Sequence, residues 1–597
     1  DRLDAGDIYP GMRMDYAFRA KEKIEPLELF FPDSTACDMA NFRKGDIVVL
    51  YPYDVGEIPD VRRNMVFRCT IEEIGADNII LRLRAAQSGP APFEINRDRL
   101  WAIEHDFIES SYSSLYRGMH AFLTATQARR DLILFKRHPQ VRSRKLIGDY
   151  GRFNSLASRV AAACDLFLII GPPGTGKTSY GMLTTVQEEL HHPESNIIIM
   201  AYTNRAVDEI CTKLIEKSIE FIRLGNDMSC APPSRPYLLS SKVRNISKAS
   251  ELAAEINRHR VFVATTTALN ANPALFRLKQ FSLGVIDEAS QILEPQLLGI
   301  LSARTASGAD AISRFVLIGD HKQLPAIVQQ TPGESAVDEE CLHEIGLHDC
   351  RLSLFERLAV RYSSDSSVCH MLTTQGRMHR SIAAFASRNF YSDKLREVPL
   401  PHQTAELADS PADATVLRRL IDSHRMLFFD VHDSDTGLAD KVNHSEARLI
   451  GAIIQEIYRK EGSEFDAADT VGVIVPYRNQ IAAIRSELAA CGIPGLNGIC
   501  IDTVERYQGS QRKYIIYGFT VRKYYQLQFL TSHVFEDTDG MIIDRKLNVA
   551  LTRAREYMIM TGDSVLLRRN AVFSRLISHI ESCGGFVTDM PPASENS

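Results

Sequence analysis

Leu166-Phe-Leu-Ile-Ile170-Gly171-Pro172-Pro173-Gly174-Thr175-Gly176-Lys177-Thr178 is the stretch on which the fold turns. Five apolar residues read as a buried strand. The glycines that follow allow a tight turn, and a helical segment comes next, so strand, turn and helix stand where G-x-x-x-x-G-K-[ST] requires them. In such a loop the backbone N–H groups of residues 171–176 close around phosphates. Lys177 would hold β/γ oxygens and the Thr178 hydroxyl would ligate Mg²⁺.

Working outward, apolar strands alternate with helical segments at Asn196 to Met200, Val261 to Ala264, Leu283 to Ile286 and Phe315 to Ile318. That is the rhythm of a parallel α/β sheet. It returns at Met426 to Phe429, Thr470 to Val475, Tyr514 to Gly518 and Tyr557 to Thr561, after a polar, Pro-containing stretch at 398–413. Two α/β domains are expected. Upstream, the short runs Ile47 to Tyr51, Val66 to Ile71 and Ile79 to Leu83 suggest a small β-barrel. From Glu104 to about Leu134 the spacing turns helical, with Leu115, Met119, Phe122 and Leu123 able to share a face.

The 597 residues exceed one hydrophobic core, and three or four domains are expected. Hydrophobic residues make 45% of the chain and charged residues 24%, an ordinary globular composition. With 69 basic against 75 acidic residues and a net charge of −6, no global positive field draws the chain to a polyanion, so any nucleic-acid contact must be a local groove. The eleven cysteines form no CxxC pair and read as mostly buried thiols of a reducing compartment. Cys341, His343, His348 and Cys350 have unusual zinc spacing and, with Leu342, Ile345 and Leu347 between them, read as a packed segment. No run approaches a membrane span, and Asp1-Arg-Leu-Asp lacks the n- and h-regions of a leader. A soluble, intracellular protein is expected, cytoplasmic or, in a eukaryote, nuclear. Because the first residue is not methionine, an upstream domain is expected to be possible.

The chemistry concentrates in a few motifs. The strand before Asp287-Glu288 places Asp287 to ligate Mg²⁺ and Glu288 to orient an attacking water. Gly319-Asp-His-Lys-Gln323-Leu-Pro325 follows another strand and offers Gln323 as a γ-phosphate sensor. Gln375-Gly-Arg377-Met-His379-Arg380 and Asn548-Val-Ala-Leu-Thr-Arg553-Ala-Arg555 bring arginines from the second half. Arg377 and Arg553, supplied across a domain cleft, would stabilise charge on a transferring phosphoryl group and make hydrolysis depend on closure. ATP and Mg²⁺ are the implied cofactors.

These motifs, with Tyr202-Thr203-Asn204-Arg-Ala-Val207-Asp208, Leu354-Phe-Glu-Arg-Leu358, Val475-Pro-Tyr477-Arg-Asn-Gln480 and Thr503-Val-Glu-Arg-Tyr-Gln508-Gly509, occur in the order that resembles superfamily 1B helicases over roughly residues 40–565. The likeness is to the branch containing the nonsense-mediated-decay RNA helicase and the Okazaki-fragment nuclease-helicase. It implies an α/β architecture of two RecA-like parallel-sheet domains with an inserted small β-barrel and helical stalk. The expected division is an N-terminal segment 1–100 with the barrel at about 42–100, a stalk at 101–145, and RecA-like domains at 146–365 and 366–597. It also implies ATP between the domains, with Gly509 among the nucleotide contacts, and single-stranded nucleic acid moving 5′→3′ across their top. Thr203, Asn204, Thr265, Thr266, Pro325, Tyr477 and Gln480 would form the strand track.

Three departures stand out. The family's adenine-reading glutamine is replaced by Ala157 in Phe153-Asn154-Ser-Leu-Ala157, leaving Gln127 or another residue to substitute. Gly376 stands for the tyrosine before the first arginine, and Gln508-Gly509-Ser-Gln511-Arg-Lys513 for Q-G-x-E-x-D. The leading expectation is an ATP-dependent translocase/helicase with single-stranded DNA slightly favoured over RNA. The alternatives are an ATP-driven single-strand clamp or nucleoprotein remodeller, and a P-loop protein unrelated to nucleic acid, as the negative charge would suit. No nuclease constellation is evident; any nuclease domain would lie outside this chain.

Overall fold

Six strands near the amino end close into a barrel, β1 (Ile8–Met14), β2 (Leu27–Phe30), β3 (Ile47–Tyr53), β4 (Phe67–Ile74), β5 (Asn78–Leu83) and β6 (Leu100–His105), in the order β1-β2-β5-β4-β3-β6. The computed structural model describes residues 8–588 except 17–25, 33–41, 43–44, 76, 86–88, 107–109, 228, 329, 433–440 and 538. The start at Asp1 and Cys37 lie outside the described residues. Alternate side chains such as Leu27 and Leu29, Val48 and Leu50, and Ile79 and Leu81 point inward and are fully buried with Trp101 and Ile103. Closure leaves the sheet no open edge.

Two expectations are corrected here. The barrel takes two strands from before residue 42. Trp101 and its neighbours to His105 are its last strand, so the stalk does not start at 101. The helix α1 (Ser110–Leu123) follows, but Met119 and Leu123 are exposed; among its residues whose burial is described, Gly118 is the buried one. A Cβ there would stand 3.1 Å from the backbone of Pro295 and Gly299, so the helix docks by backbone approach rather than by an apolar stripe.

The chain divides into two compact units, Asp1–Leu115 with Asn226–Cys230, and Tyr116–Gly225 with Ala231–Ser597. The second contains both α/β sheets. The first sheet is wholly parallel, built from β7 (Leu166–Ile170), β8 (Ile197–Ala201), β9 (Ile222–Arg223), β10 (Val261–Thr265), β11 (Phe281–Ile286), β12 (Ile312–Gly319) and β13 (Cys369–Met371), ordered β13-β7-β12-β11-β8-β10-β9. Its strands Leu-Phe-Leu-Ile-Ile and Ile-Ile-Ile-Met-Ala are buried at every position, as helices on both faces demand. β13 crosses the expected boundary at 365 because Cys-His-Met is too short and mixed to read as a strand.

A two-stranded ribbon of β14 (Thr374–Gln375) and β15 (Arg396–Glu397) leads to the second sheet. That sheet is β16 (Met426–Asp430), β17 (Val471–Ile474), β18 (Cys500–Asp502), β19 (Arg512–Gly518), β22 (Ala554–Gly562) and β23 (Phe586–Val587), all parallel and ordered β18-β17-β19-β22-β16-β23. The hairpin β20 (Val534–Glu536) and β21 (Ile542–Asp544) lies between β19 and β22 in sequence. Of the ten described cysteines only Cys69, Cys211, Cys230 and Cys369 are buried, fewer than the scattered spacing suggested. No helix among the described residues is long and apolar enough to cross a membrane.

Candidate nucleotide site and nucleic-acid face

The loop after β7 is shaped by its glycines. Gly174 and Gly176 have φ of +75° and +80°, and a Cβ on Gly174 would fall 2.5 Å from the Arg377 Cβ. A Cβ on Gly171 would lie 2.0 Å from the Lys177 Cγ. Only glycine lets the backbone and two cations come this close. The Thr175 hydroxyl donates to the Pro172 carbonyl at 2.7 Å and holds the loop closed. One π-helical turn, Lys177–Met182, then leads into α2 (Leu183–Leu190).

Lys177 Nζ lies 3.0 Å from Glu288 Oε1, and Thr178 Oγ1 donates to Asp287 Oδ2 at 2.7 Å. Glu288 sits in left-handed backbone, φ +51°, an uncommon conformation for a residue with a side chain, and Gln291 Nε2 donates to its Oε2 at 2.9 Å. Burial and the neighbouring Glu288 push Asp287 up to about 6. Burial acts against Glu288 as well, but the Lys177 ammonium outweighs it and keeps that carboxyl below its usual range. Burial likewise opposes the Lys177 charge, and Glu288, Asp320 and Asp287 overcome it, raising the amine.

Arginines from the second α/β domain complete the arrangement. Arg377 Nη1 donates to the Thr552 carbonyl at 3.2 Å, and its Nε, buried, has no hydrogen-bond partner among the described residues. Arg553 Nη2 donates to Gln323 Oε1 at 3.2 Å. Burial, then the charge of Arg377, lowers Arg553 to about 9. Arg377 and Lys177 lie against one glycine loop, and Arg553, bonded to Gln323 and to the Val549 and Ser510 carbonyls, adds a third buried positive charge beside Glu288, so that the loop is a cationic place suited to a polyanion. Beside them, a hydroxyl already bonded to a carboxylate matches the oxygen donors of a divalent cation. The residues present therefore fit a nucleoside triphosphate with Mg²⁺.

An open cleft of about 200 Å³ borders these groups. Thr178, Thr203, Asp287 and Glu288 line it from the first domain and Glu505, Arg506, Gln508 and Gly509 from the second. Arg506 and Gln508 stand in the motif that ends in Gly509 but carry no role assigned from the sequence, and Glu209 lies outside the motifs. Glu209 is raised by burial and by Glu288, and no motif position signalled it.

The expected strand track divides. Thr203 and Asn204 are exposed at the start of α3 (Asn204–Glu216), whose Ala206 amide Thr203 caps at 3.2 Å. Pro325 and Tyr477 are half-buried. Thr265 spends its hydroxyl capping Ala268, and Thr266 is 1% exposed. Gln480 is fully buried, its amide donating to the Asn443 carbonyl at 2.9 Å and accepting from the Asn443 amide at 2.8 Å. Gln480 therefore anchors the start of α4 (His444–Glu461) and does not face solvent.

The departures are also located. Ala157 is buried, and Phe153 and Tyr180 stack at 4.9 Å beside the phosphate loop. Gln127 bonds Asp131 and Arg130 within its own helix.

Two family models described as AAA domain match residues 154–260 with 237–331, and 350–565. The DNA replication ATP-dependent helicase/nuclease JHS1 of Arabidopsis thaliana is 29% identical over 441 residues, covering 72% of this chain and 30% of its own. The corresponding DNA2 proteins of Bos taurus and Homo sapiens are 27% and 28% identical, covering 74% and 72% of this chain and 39% and 38% of theirs. This chain thus spans well under half the length of these relatives. An arterivirus nonstructural protein 10 helicase aligns over 89% of this chain and 79% of its own at 11% identity and TM-score 0.36, too loose a likeness to carry an argument. The glycine loop, the acid pair, the opposed arginines and the two AAA matches agree: the chain belongs to the superfamily 1B helicases, in the branch that holds the DNA replication helicase/nucleases.

Proposed function

We propose that this chain is an ATP-driven motor that moves 5′→3′ along single-stranded nucleic acid, DNA in preference to RNA, and separates duplexes. The observation that carries it is the meeting of Lys177, Asp287 and Glu288 with Arg377 and Arg553 at one cleft. In this reading Lys177 and the loop amides hold phosphate oxygens, and Thr178 and Asp287 hold Mg²⁺, which supplies charge neutralisation when bound. Glu288 orients the attacking water and takes its proton, having been kept ionised by Lys177. Arg377 and Arg553 lie against the developing charge and are in place only when the domains are apposed, which couples hydrolysis to movement.

Thr203, Asn204, Pro325 and Tyr477 are assigned to the strand path, and α1 to the stalk. The preference for DNA rests on the relatives, which are named as DNA replication proteins; by the same relation we assign the protein to the nucleus in a eukaryote. The nuclease in those names is assigned to no residue here.

ATP turnover with Mg²⁺, alone and with single-stranded DNA or RNA, tests the reading, with Lys177→Ala as control. Stimulation by DNA that vanishes in the control is expected. Strand displacement from substrates with 5′ or 3′ overhangs then reads polarity, and turnover without displacement would convert the helicase into a clamp. No stimulation by any polynucleotide sinks the motor.

A further inference from the structure

Three of the large side chains that the second α/β domain leaves exposed lie on one short helix, α6 (Tyr524–Leu530), with α5 (Arg478–Ala490) preceding it in the domain. Tyr524, Tyr525 and Phe529 are 53%, 54% and 48% exposed, while Gln526, Leu527 and Leu530 of the same helix turn inward. Such a concentration of flat apolar surface on one helix asks for an occupant. Position gives a first indication. Tyr477 follows the carboxyl end of β17, Thr503 that of β18, and α6 that of β19, so all three stand at one edge of the parallel sheet. Arg553 lies by the other end of β19, where its carbonyl accepts from the Arg512 amide at 3.0 Å, roughly 20 Å away along the strand.

Chemistry gives the second. The rings of Tyr477 and Phe529 stack, 5.4 Å apart and inclined by 22°. Lys546 places its ammonium 4.4 Å from the Phe529 centroid, and Arg569 its guanidinium 5.4 Å from that of Tyr524. Lys523 is exposed at the head of the helix. Beside Phe529 a dimple of only about 10 Å³ is lined by Pro476 and Val504, with Glu505 as its acid, 3.7 Å from Lys546. Lys546 is buried and paired with Glu505, but on a chain of net charge −6 exposed rings beside the exposed Lys523 and Arg569 match a ligand carrying π-faces and phosphates together.

We infer that α6 is a base-stacking platform for single-stranded nucleic acid, with Tyr525 and Phe529 receiving bases and Lys523 and Arg569 the backbone. The inference rests on the motor reading and extends it to residues outside its motifs. Stacking is tolerant of sequence, because every base has a π-face, so the platform grips without reading. It continues the strand path from Tyr477 outward over the second domain.

Equilibrium binding of a fluorescent oligothymidylate and of an abasic oligomer of equal length tests it, on the full chain. Tyr525→Ala and Phe529→Ala are each expected to weaken oligothymidylate binding by about 5- to 100-fold, with little change in abasic binding or in the salt dependence. Tyr525→Phe and Phe529→Tyr, which keep the ring, are expected to bind as the parent does. A wild type that binds oligothymidylate while the alanine variants bind equally well overturns the platform and leaves the motor standing. Equal losses for the abasic and thymidylate oligomers, or losses in the ring-retaining variants too, also overturn it. A wild type that binds no polynucleotide removes the motor reading itself.

Discussion

Arg553 Nη2 donates to Gln323 Oε1 at 3.2 Å, and Gln323 Nε2 donates in turn to Asp320 Oδ2 at 2.7 Å. That oxygen also accepts from the Tyr391 hydroxyl at 2.7 Å, and the Asn548 amide donates to the same hydroxyl at 2.8 Å. A continuous buried path of hydrogen bonds thus runs from one α/β domain to the other beside the phosphate loop. Burial and Asp320 hold the Tyr391 hydroxyl protonated, far above its ordinary range, so it remains a donor throughout.

Arg553→Ala is expected to reduce turnover by about 1,000-fold or more, as loss of an arginine that meets the transferring phosphoryl group does. Nucleotide affinity should change much less. Steady-state kinetics on the variant, with a binding isotherm for a non-hydrolysed analogue, separates the two; unchanged turnover would reduce Arg553 to a structural ion.

Tyr391→Phe keeps the ring and removes the bridge between Asp320 and Asn548. Thermal unfolding should report a loss of about 1–3 kcal/mol for the buried groups left without a partner. Strand stimulation of ATP turnover should weaken more than strand-free turnover, because the bridge joins the two domains.

Gln480→Ala is expected to cost about 1–3 kcal/mol in stability, since it strands the amide and carbonyl of Asn443, and to leave strand affinity at the wild-type value. A large loss of affinity with an unchanged melting transition would return Gln480 to the strand path.

Asp544 caps the helix α7 (Arg545–Leu551) through the Leu547 amide at 3.0 Å, while burial raises it to about 6. A folded-state value above the unfolded one means that the fold holds the extra proton at low pH. The associated stability is complete below about pH 4 and is lost as pH rises through about 6. At neutral pH the ionised group costs up to about 3 kcal/mol. Asn is an equally good cap, so Asp544→Asn should raise the melting temperature at pH 7.5 and flatten its fall between pH 4 and 6. An unaltered pH profile counts against the assignment.

The nucleobase end of the site makes a further prediction. With Ala157 in place of an amide reader, the stacked Phe153 and Tyr180, and the Arg152 guanidinium 4.9 Å from the Phe153 ring, offer π-surface beside the loop and little hydrogen-bond discrimination. Sites built to hydrogen-bond a group reject its absence by about 10⁴-fold, whereas apolar contact discriminates far less. The kcat/KM values for ATP and GTP are expected to agree within about tenfold, which competition kinetics measures; strict use of ATP would point to a reader elsewhere.

From the sequence alone, the phosphate loop, the acid pair, the two strand-helix alternations and the barrel were legible, because each is a local property. A glycine loop must follow its strand directly, and a strand covered on both faces must be apolar along its whole length. What the tertiary structure decided is what depends on residues distant in the chain. β1 and β2 join the barrel by pairing across long connections, and Cys369–Met371 becomes a strand only because β7 offers it an edge. Gln480, polar and placed like a strand contact, is buried because Asn443 supplies backbone partners for both ends of its amide. Met119 and Leu123, apolar at helical spacing, are exposed because Gly118 permits a closer approach than they do. Periodicity records which faces can be buried, and hydrogen-bond geometry in the assembled chain decides which are.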